Sequence, residues 1–249
     1  MSGHSKWSTI KRKKEKTDSQ RAKIFTKIGR EISVAVREGG PDPVSNSKLK
    51  DIIVKAKANN VPNDNIERII KKAAGETGGA AYEEIVYEGY GPSGVAVVVE
   101  TLTDNRNRTA GDMRHYFDKF GGNMGQSGCV GFLFARQGQL LAEAETLPAG
   151  KDEDTLMEAA LEAGAVDFLG EEEEVYEIRT EPNDLGRVAE ALETAGYTFV
   201  SSEVAYIPST FTALTNPDDI KNMNRLLEML EDNDDVQGVW HNWENADEE

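Results

Sequence analysis

The chain has 249 residues, with 28 Lys and Arg against 45 Asp and Glu, a formal net charge of -17, and 38% hydrophobic residues. That length holds two or three domains, each with a core of its own. A single cysteine, Cys129, excludes an internal disulfide and points to a reducing, cytoplasmic setting, and no apolar run reaches the roughly 20 residues needed to cross a bilayer.

The net charge hides a split. Through Lys72 there are 18 Lys and Arg against 8 Asp and Glu, a net of +10, which leaves 10 against 37, or -27, for the remainder. So acidic a body repels nucleic acid unless one segment reverses the sign locally, and the asymmetry therefore predicts a polyanion-binding end.

In chain order, that end opens with His4, Lys6, Trp7, Lys11, Arg12, Lys13, Lys14 and Lys16. Cations packed this closely can displace counterions from phosphates, and the indole can stack on a base; the plainer reading is a solvated tail. Glu15 and Asp18, and a start too charged for a secretory signal, argue against a targeting segment. From Arg21 to Glu38 the apolar residues Ile24, Phe25, Ile28, Ile32, Ala35 and Val36 share one helical face, with Lys23, Lys27, Arg30 and Arg37 opposite. A second helix follows Pro41 on Leu49, Ile52, Ile53 and Ala56, and a third follows Pro62 on Ile66, Ile69, Ile70 and Ala73. The Gly-rich and Ala-rich stretch 75–81 reads as a linker.

Strand signals then take over: a hairpin of Glu84 to Tyr90 and Val95 to Leu102 about the turn Gly91-Pro92-Ser93-Gly94. The segment Thr103-Asp104-Asn105-Arg106-Asn107-Arg108-Thr109 leads into a helix from about Thr109 to Phe120, with Asn107 or Thr109 as cap. Arg106 and Arg108 suit phosphate recognition; the other reading is a capped turn whose arginines pair with carboxylates. The loop Gly121 to Gly128 lacks a following Lys-Ser or Lys-Thr and leads into a strand, Val130 to Ala135, so it is neither a P-loop nor a dinucleotide fingerprint. Next come strand Gln139 to Ala144, helix Asp152 to Ala163, strands Val166 to Leu169 and Val175 to Thr180, helix Asn183 to Ala195 and strand Thr198 to Ile207, a β-α-β-β-α-β order. Phe211 to Leu214, a helix from about Pro217 to Glu231 and a strand Val236 to Trp243 complete the chain.

The pieces before Gln137 and after Pro208 make a closed α/β unit only together. The expected fold is α+β: an N-terminal three-helix bundle (1–78) and two ferredoxin-like α/β domains, the last one (137–208) inserted into the middle one (79–136 and 209–249). Catalytic groupings are thin. Asp104, Asp112, His115 and Asp118 match no recognised metal-ligand spacing and read as a polar helix face, and Cys129 reads as a small buried hydrophobe.

Ser2-Gly3-His4-Ser5-Lys6-Trp7 with its basic run, Tyr90-Gly91-Pro92-Ser93-Gly94, Thr103 to Thr109, and Gly121 to Gly128 leading to Phe132 and Phe134 resemble the YebC family across essentially the whole chain. That family includes bacterial proteins described as transcriptional regulators and the mitochondrial translational activator of cytochrome c oxidase. The resemblance implies three domains and a regulator acting on promoter DNA or on translating ribosomes, including relief of stalling at proline runs. It carries over no catalytic residue.

The expectation is thus a non-enzymatic, nucleic-acid-binding regulator of gene expression, in the first place a DNA-binding transcriptional regulator. The alternatives are a ribosome-associated translation factor or a metal-dependent phosphoesterase. Its expected contacts are Lys6, Trp7, Lys11, Arg12, Lys13, Lys14, Lys16, Lys23, Lys27, Arg30, Arg37, Arg106 and Arg108, with no cofactor, metal, membrane or small-molecule substrate.

Overall fold

The computed structural model describes residues 18–75, 82–172 and 174–246. Its first three helices, α1 (Asp18–Gly39), α2 (Ser47–Ala58) and α3 (Asn63–Gly75), bury the predicted stripes against one another, with Ile28, Ile32, Leu49, Ile52 and Ile66 at the centre. The turn between α1 and α2 is held by the buried Asn46. Its Oδ1 accepts the Leu49 N–H at 3.0 Å as an N-cap, and its Nδ2 donates to the carbonyls of Ala35 and Gly40, both at 2.8 Å.

Strands β1 (Glu83–Tyr90) and β2 (Ala96–Thr103) form the predicted hairpin. α4 (Arg106–Lys119), a short β3 (Asn123–Met124), and, much later, α7 (Pro217–Asp232) and β8 (Val236–His241) complete the first layer. The sheet order is β3-β1-β2-β8, every pair antiparallel. Val95, Val97 and Val99 pack under α4 and α7 around the fully buried Trp243, while Ala96 and Val98 face the other way, onto Val130 and Tyr206. β2 is therefore covered on both faces, which explains its unbroken apolar run.

The second sheet is built wholly from residues lying between strands of the first. It comprises β4 (Phe134–Glu143), α5 (Glu153–Ala163), β5 (Asp167–Glu172), β6 (Val175–Thr180), α6 (Leu185–Thr194) and β7 (Ser201–Pro208), in the antiparallel order β5-β6-β4-β7. The two strands expected at Val130 to Ala135 and Gln139 to Ala144 are one. Residues 131–133 make a single helical turn, and β4 then runs unbroken because β7 pairs with it from Phe134↔Pro208 to Leu141↔Ser201. Entry and exit are clasped together, with the Ser209 N–H donating to the Leu133 carbonyl at 2.8 Å.

The bundle meets this sheet through α2. Val54 enters the core beneath α5 and α6, Lys50 pairs with Glu190 at 2.8 Å, and Asp51 accepts the Gly186 N–H at the start of α6. Burial pushes the Asp51 carboxyl up to about 6, against the opposing pull of the Gly186 N–H and Lys50. Nearby, Lys55 binds Glu31 at 2.8 Å within the field of Glu203 and Glu100, so one ammonium joins the bundle to both sheets. Burial also pushes the Tyr206 phenol up to about 12, reinforced by Glu100.

Candidate nucleic-acid interface

Lys6, Trp7, Lys11, Arg12, Lys13, Lys14 and Lys16 lie outside the described residues. The cations of α1 are described, and three of them do not form the outward stripe that periodicity predicts. Lys23 Nζ lies 2.6 Å from Asp232 Oδ1, Lys27 Nζ donates to the Glu231 carbonyl at 2.7 Å, and Arg30 Nη1 reaches the Asp234 carbonyl at 3.0 Å and Asp235 Oδ1 at 3.2 Å. The reason lies at the end of α7, where Glu231-Asp232-Asn233-Asp234-Asp235 puts acidic residues beside the negative pole of the helix dipole and its unsatisfied carbonyls. With no basic residue in its own last turn, α7 is capped by α1. Arg37 is exposed in the last turn of α1.

The segment Thr103 to Thr109 closes on the same acidic corner. α4 begins at Arg106, three residues earlier than predicted, because Asn105 is the cap and its Oδ1 accepts the Arg108 N–H at 3.1 Å. Thr103 Oγ accepts the Asn105 N–H at 2.9 Å. The hydroxyls of Thr103 and Thr109 then lie 3.2 and 2.8 Å from Asp235 Oδ2, and Arg108 Nη2 donates to that oxygen at 2.7 Å and to Asp104 at 3.0 Å.

The β2–β8 register shifts between Glu100 and Thr101, just before this point, as at a bulge. Burial alone would raise the Asp235 carboxyl, but hydrogen bonds from Arg108, Thr109 and Thr103 hold it below the usual carboxylate range. The bonds to Asp235 and Asp104 push the Arg108 guanidinium up.

Arg108 is thus engaged within the fold, as the turn-and-ion-pair reading expects. Arg106 differs: it is exposed and makes no hydrogen bond or ion pair among the described residues. Sequence reading passed over Asp235, whose signal was an acidic run after a helix with no cation in its last turn.

The glycine-rich loop is fastened by Glu88, also passed over. The Glu88 carboxylate accepts the N–H groups of Gly128, Val130 and Gly131 at 2.7, 2.9 and 2.6 Å, and its carbonyl accepts the Gly125 N–H at 2.8 Å. A Cβ at Gly122 would collide with the Tyr90 carbonyl oxygen, so the loop can lie this close to β1 only with glycine there. The carboxylate captures amides that a phosphate would otherwise use. The pinned turn presents Phe132 with 75% of its surface exposed.

Cys129 is half-buried, its thiol pushed up by burial and by Glu88. Among the described residues no group of three His, Cys, Asp or Glu is placed to hold a metal ion. Asp104 pairs with Arg108, Asp112 accepts from Asn233 Nδ2 at 3.3 Å, and His115 is exposed beside Tyr116. None of the described helices is long and apolar enough to cross a membrane.

A helical bundle locked by ion pairs onto a body of two antiparallel sheets, with a basic segment leading into its first helix, defines a three-part α+β architecture. The chain belongs to the TACO1/YebC family: residues 5–76 match the model of that family's N-terminal domain, and residues 82–243 match that of its second and third domains. A protein of Acetivibrio thermocellus is 59% identical over 243 residues, covering 98% of this chain and 99% of the relative. One of Ruminiclostridium cellulolyticum is 60% identical over 248 residues, covering 100% of this chain and 98% of the relative. Both are named probable transcriptional regulatory protein. The crystal structure of a conserved hypothetical protein from Aquifex aeolicus is similar at a TM-score of 0.79 and 45% identity, covering 92% of each chain.

Proposed function

We propose that the chain is a non-enzymatic, nucleic-acid-binding regulator of gene expression that grips the phosphate backbone through its basic N-terminal segment. The observation that carries this reading is the charge split, 18 Lys and Arg against 8 Asp and Glu through Lys72 in a chain of net charge -17. Lys6, Trp7, Lys11, Arg12, Lys13, Lys14 and Lys16 supply the first contact, and Arg37 and Arg106 add cations beyond it. Lys23, Lys27 and Arg30 set the posture of the bundle and Arg108 braces the acidic corner beside it, because each is held by the chain's own oxygens.

The names of the relatives support action on transcription. One observation favours a second version, action on structured RNA such as that of the ribosome. The long basic helix engages three of its cations on the chain's own oxygens, so it offers no continuous free face for reading base edges in a major groove. Backbone recognition by a projecting arm suits a folded RNA surface.

The test is binding to duplex DNA, ribosomal RNA and intact ribosomes across a salt series. Reversal of Lys11, Arg12, Lys13 and Lys14 to Glu is expected to abolish binding and flatten the salt dependence. Undiminished affinity in that variant removes the arm from the reading. Sedimentation of the cellular protein with ribosomes at low but not high salt favours the RNA version; its absence, with retention on DNA, favours transcription.

A further inference from the structure

Between α1, the turn joining α2 to α3, and the connection from α6 to β7 lies a cleft of about 990 Å³. Three properties set it apart from the surrounding surface. Its walls carry two half-buried aromatic rings, Phe25 and Phe199, from opposite sides of the seam. Its edge carries Arg21 and Lys57, with the amides of Asn59 and Asn60 beside them. Among the described residues its one lining carboxylate is Glu193, although the segment 137–208 that supplies one wall holds 18 Asp and Glu against 3 Lys and Arg. Two bundle cations against one carboxylate make the described rim of this hollow positive beside an acidic unit.

The hollow also lies beside the start of α1, which the basic segment precedes in sequence. Arg21 stands in the first turn of α1 and lines the cleft, and the 17 residues before Asp18 hold six Lys and Arg against one Glu. Lys16 is five residues from Arg21, so the covalent chain keeps their Cα atoms within roughly 18 Å.

We infer that this cleft seats an unpaired stretch of a nucleic-acid strand, with bases against Phe25 and Phe199 and phosphates at Arg21 and Lys57. The combination is the one single strands require: aromatic faces that accept any base, flanked by cations that follow the backbone. A base in a duplex is already stacked on both sides and has no face to offer these rings. The inference rests on the nucleic-acid reading above and narrows it to single-stranded segments, whether loops of a folded RNA or an opened strand.

The test uses the full chain and a fluorescent ten-nucleotide uridine strand, compared with a duplex of equal length. The strand is expected to bind at least tenfold more tightly than the duplex. Lys57→Glu, at an exposed position, is expected to lower the slope of log K against log salt by about 0.7, the share of one phosphate on a single strand. Phe199→Ala is expected to weaken the strand by about tenfold and the duplex hardly at all.

Because Phe199→Ala also removes packing, a second measurement needs no variant: photo-crosslinking of a 5-bromouridine strand, expected to label residues 21–25, 57–60 or 193–202. Equal binding of strand and duplex, or crosslinks confined to residues 1–17, overturns the cleft while leaving the basic arm as a backbone contact. Loss of binding in neither the arm nor the cleft variants overturns both.

Discussion

The bundle meets its two neighbours in different ways. Against the first sheet it is fastened by charge: Lys23, Lys27 and Arg30 cap the acidic end of α7, and Lys48 reaches Glu84 on β1. Against the second it is fastened through α2, by Val54, Lys50 and Asp51, and the seam opens beside these contacts into a cleft edged by Arg21 and Lys57. The difference teaches that a basic segment is not automatically a binding face. Some of its cations, Lys23, Lys27 and Arg30, are engaged in docking on the chain's own oxygens.

The largest effect expected from breaking this contrast comes from Asp235, whose side chain is 7% exposed and gathers Arg30, Arg108 and two threonine hydroxyls. Asp235→Ala is expected to cost about 2–3 kcal/mol by denaturant titration, since it removes a buried acceptor shared by two buried hydroxyls and two guanidinium groups. The pH sign follows from the lowered carboxyl: its contribution is present above the ordinary aspartate range and is lost as pH falls through the folded value. The variant should therefore differ most from the parent near neutrality and approach it in strong acid.

A smaller effect separates two arginines in one helical turn. Arg108→Ala is expected to lower the melting temperature, whereas Arg106→Ala should change stability by less than about 0.5 kcal/mol and act on binding alone. A shared loss of stability would erase the distinction drawn here between them.

Asp51 tests the other seam. Its folded value of about 6 lies above the ordinary aspartate value of 3.8, so its contribution is fully present below pH 4 and disappears as pH rises through 6. Asp51→Asn should accordingly raise the melting temperature at pH 7.5 relative to the parent and do little at pH 4. Lys23→Ala is the mildest, below about 1 kcal/mol, because its pair with Asp232 is solvent-exposed on both sides. In 0.5 M salt that difference should vanish, while the cost of Asp235→Ala persists.

Much of the fold was legible because its signals are local. The stripes of α1, α2 and α3, the hairpin turn at Pro92 and the strand Val175–Thr180 are written within a few residues of one another. What stayed hidden depends on partners far along the chain. Periodicity places Lys23, Lys27 and Arg30 on one face but cannot say that residues 231–235 wait there, and Arg106 and Arg108 look alike until Asp235 chooses between them. Nothing within Gly121 to Gly128 announces that Glu88, on a strand forty residues from Gly128, fastens the end of the loop. The cleft is assembled from residues near 21, 57 and 199, and no motif could have announced it.

The clasp where Leu133 and Ser209 meet has a consequence for how such a chain can change over time. Because the segment between them leaves and returns through one paired doorway, its length and surface can be rewritten without moving either doorpost. Lineages could thereby restyle one wall of the seam at little risk to the first sheet, and a designer could graft a different module onto the same two posts.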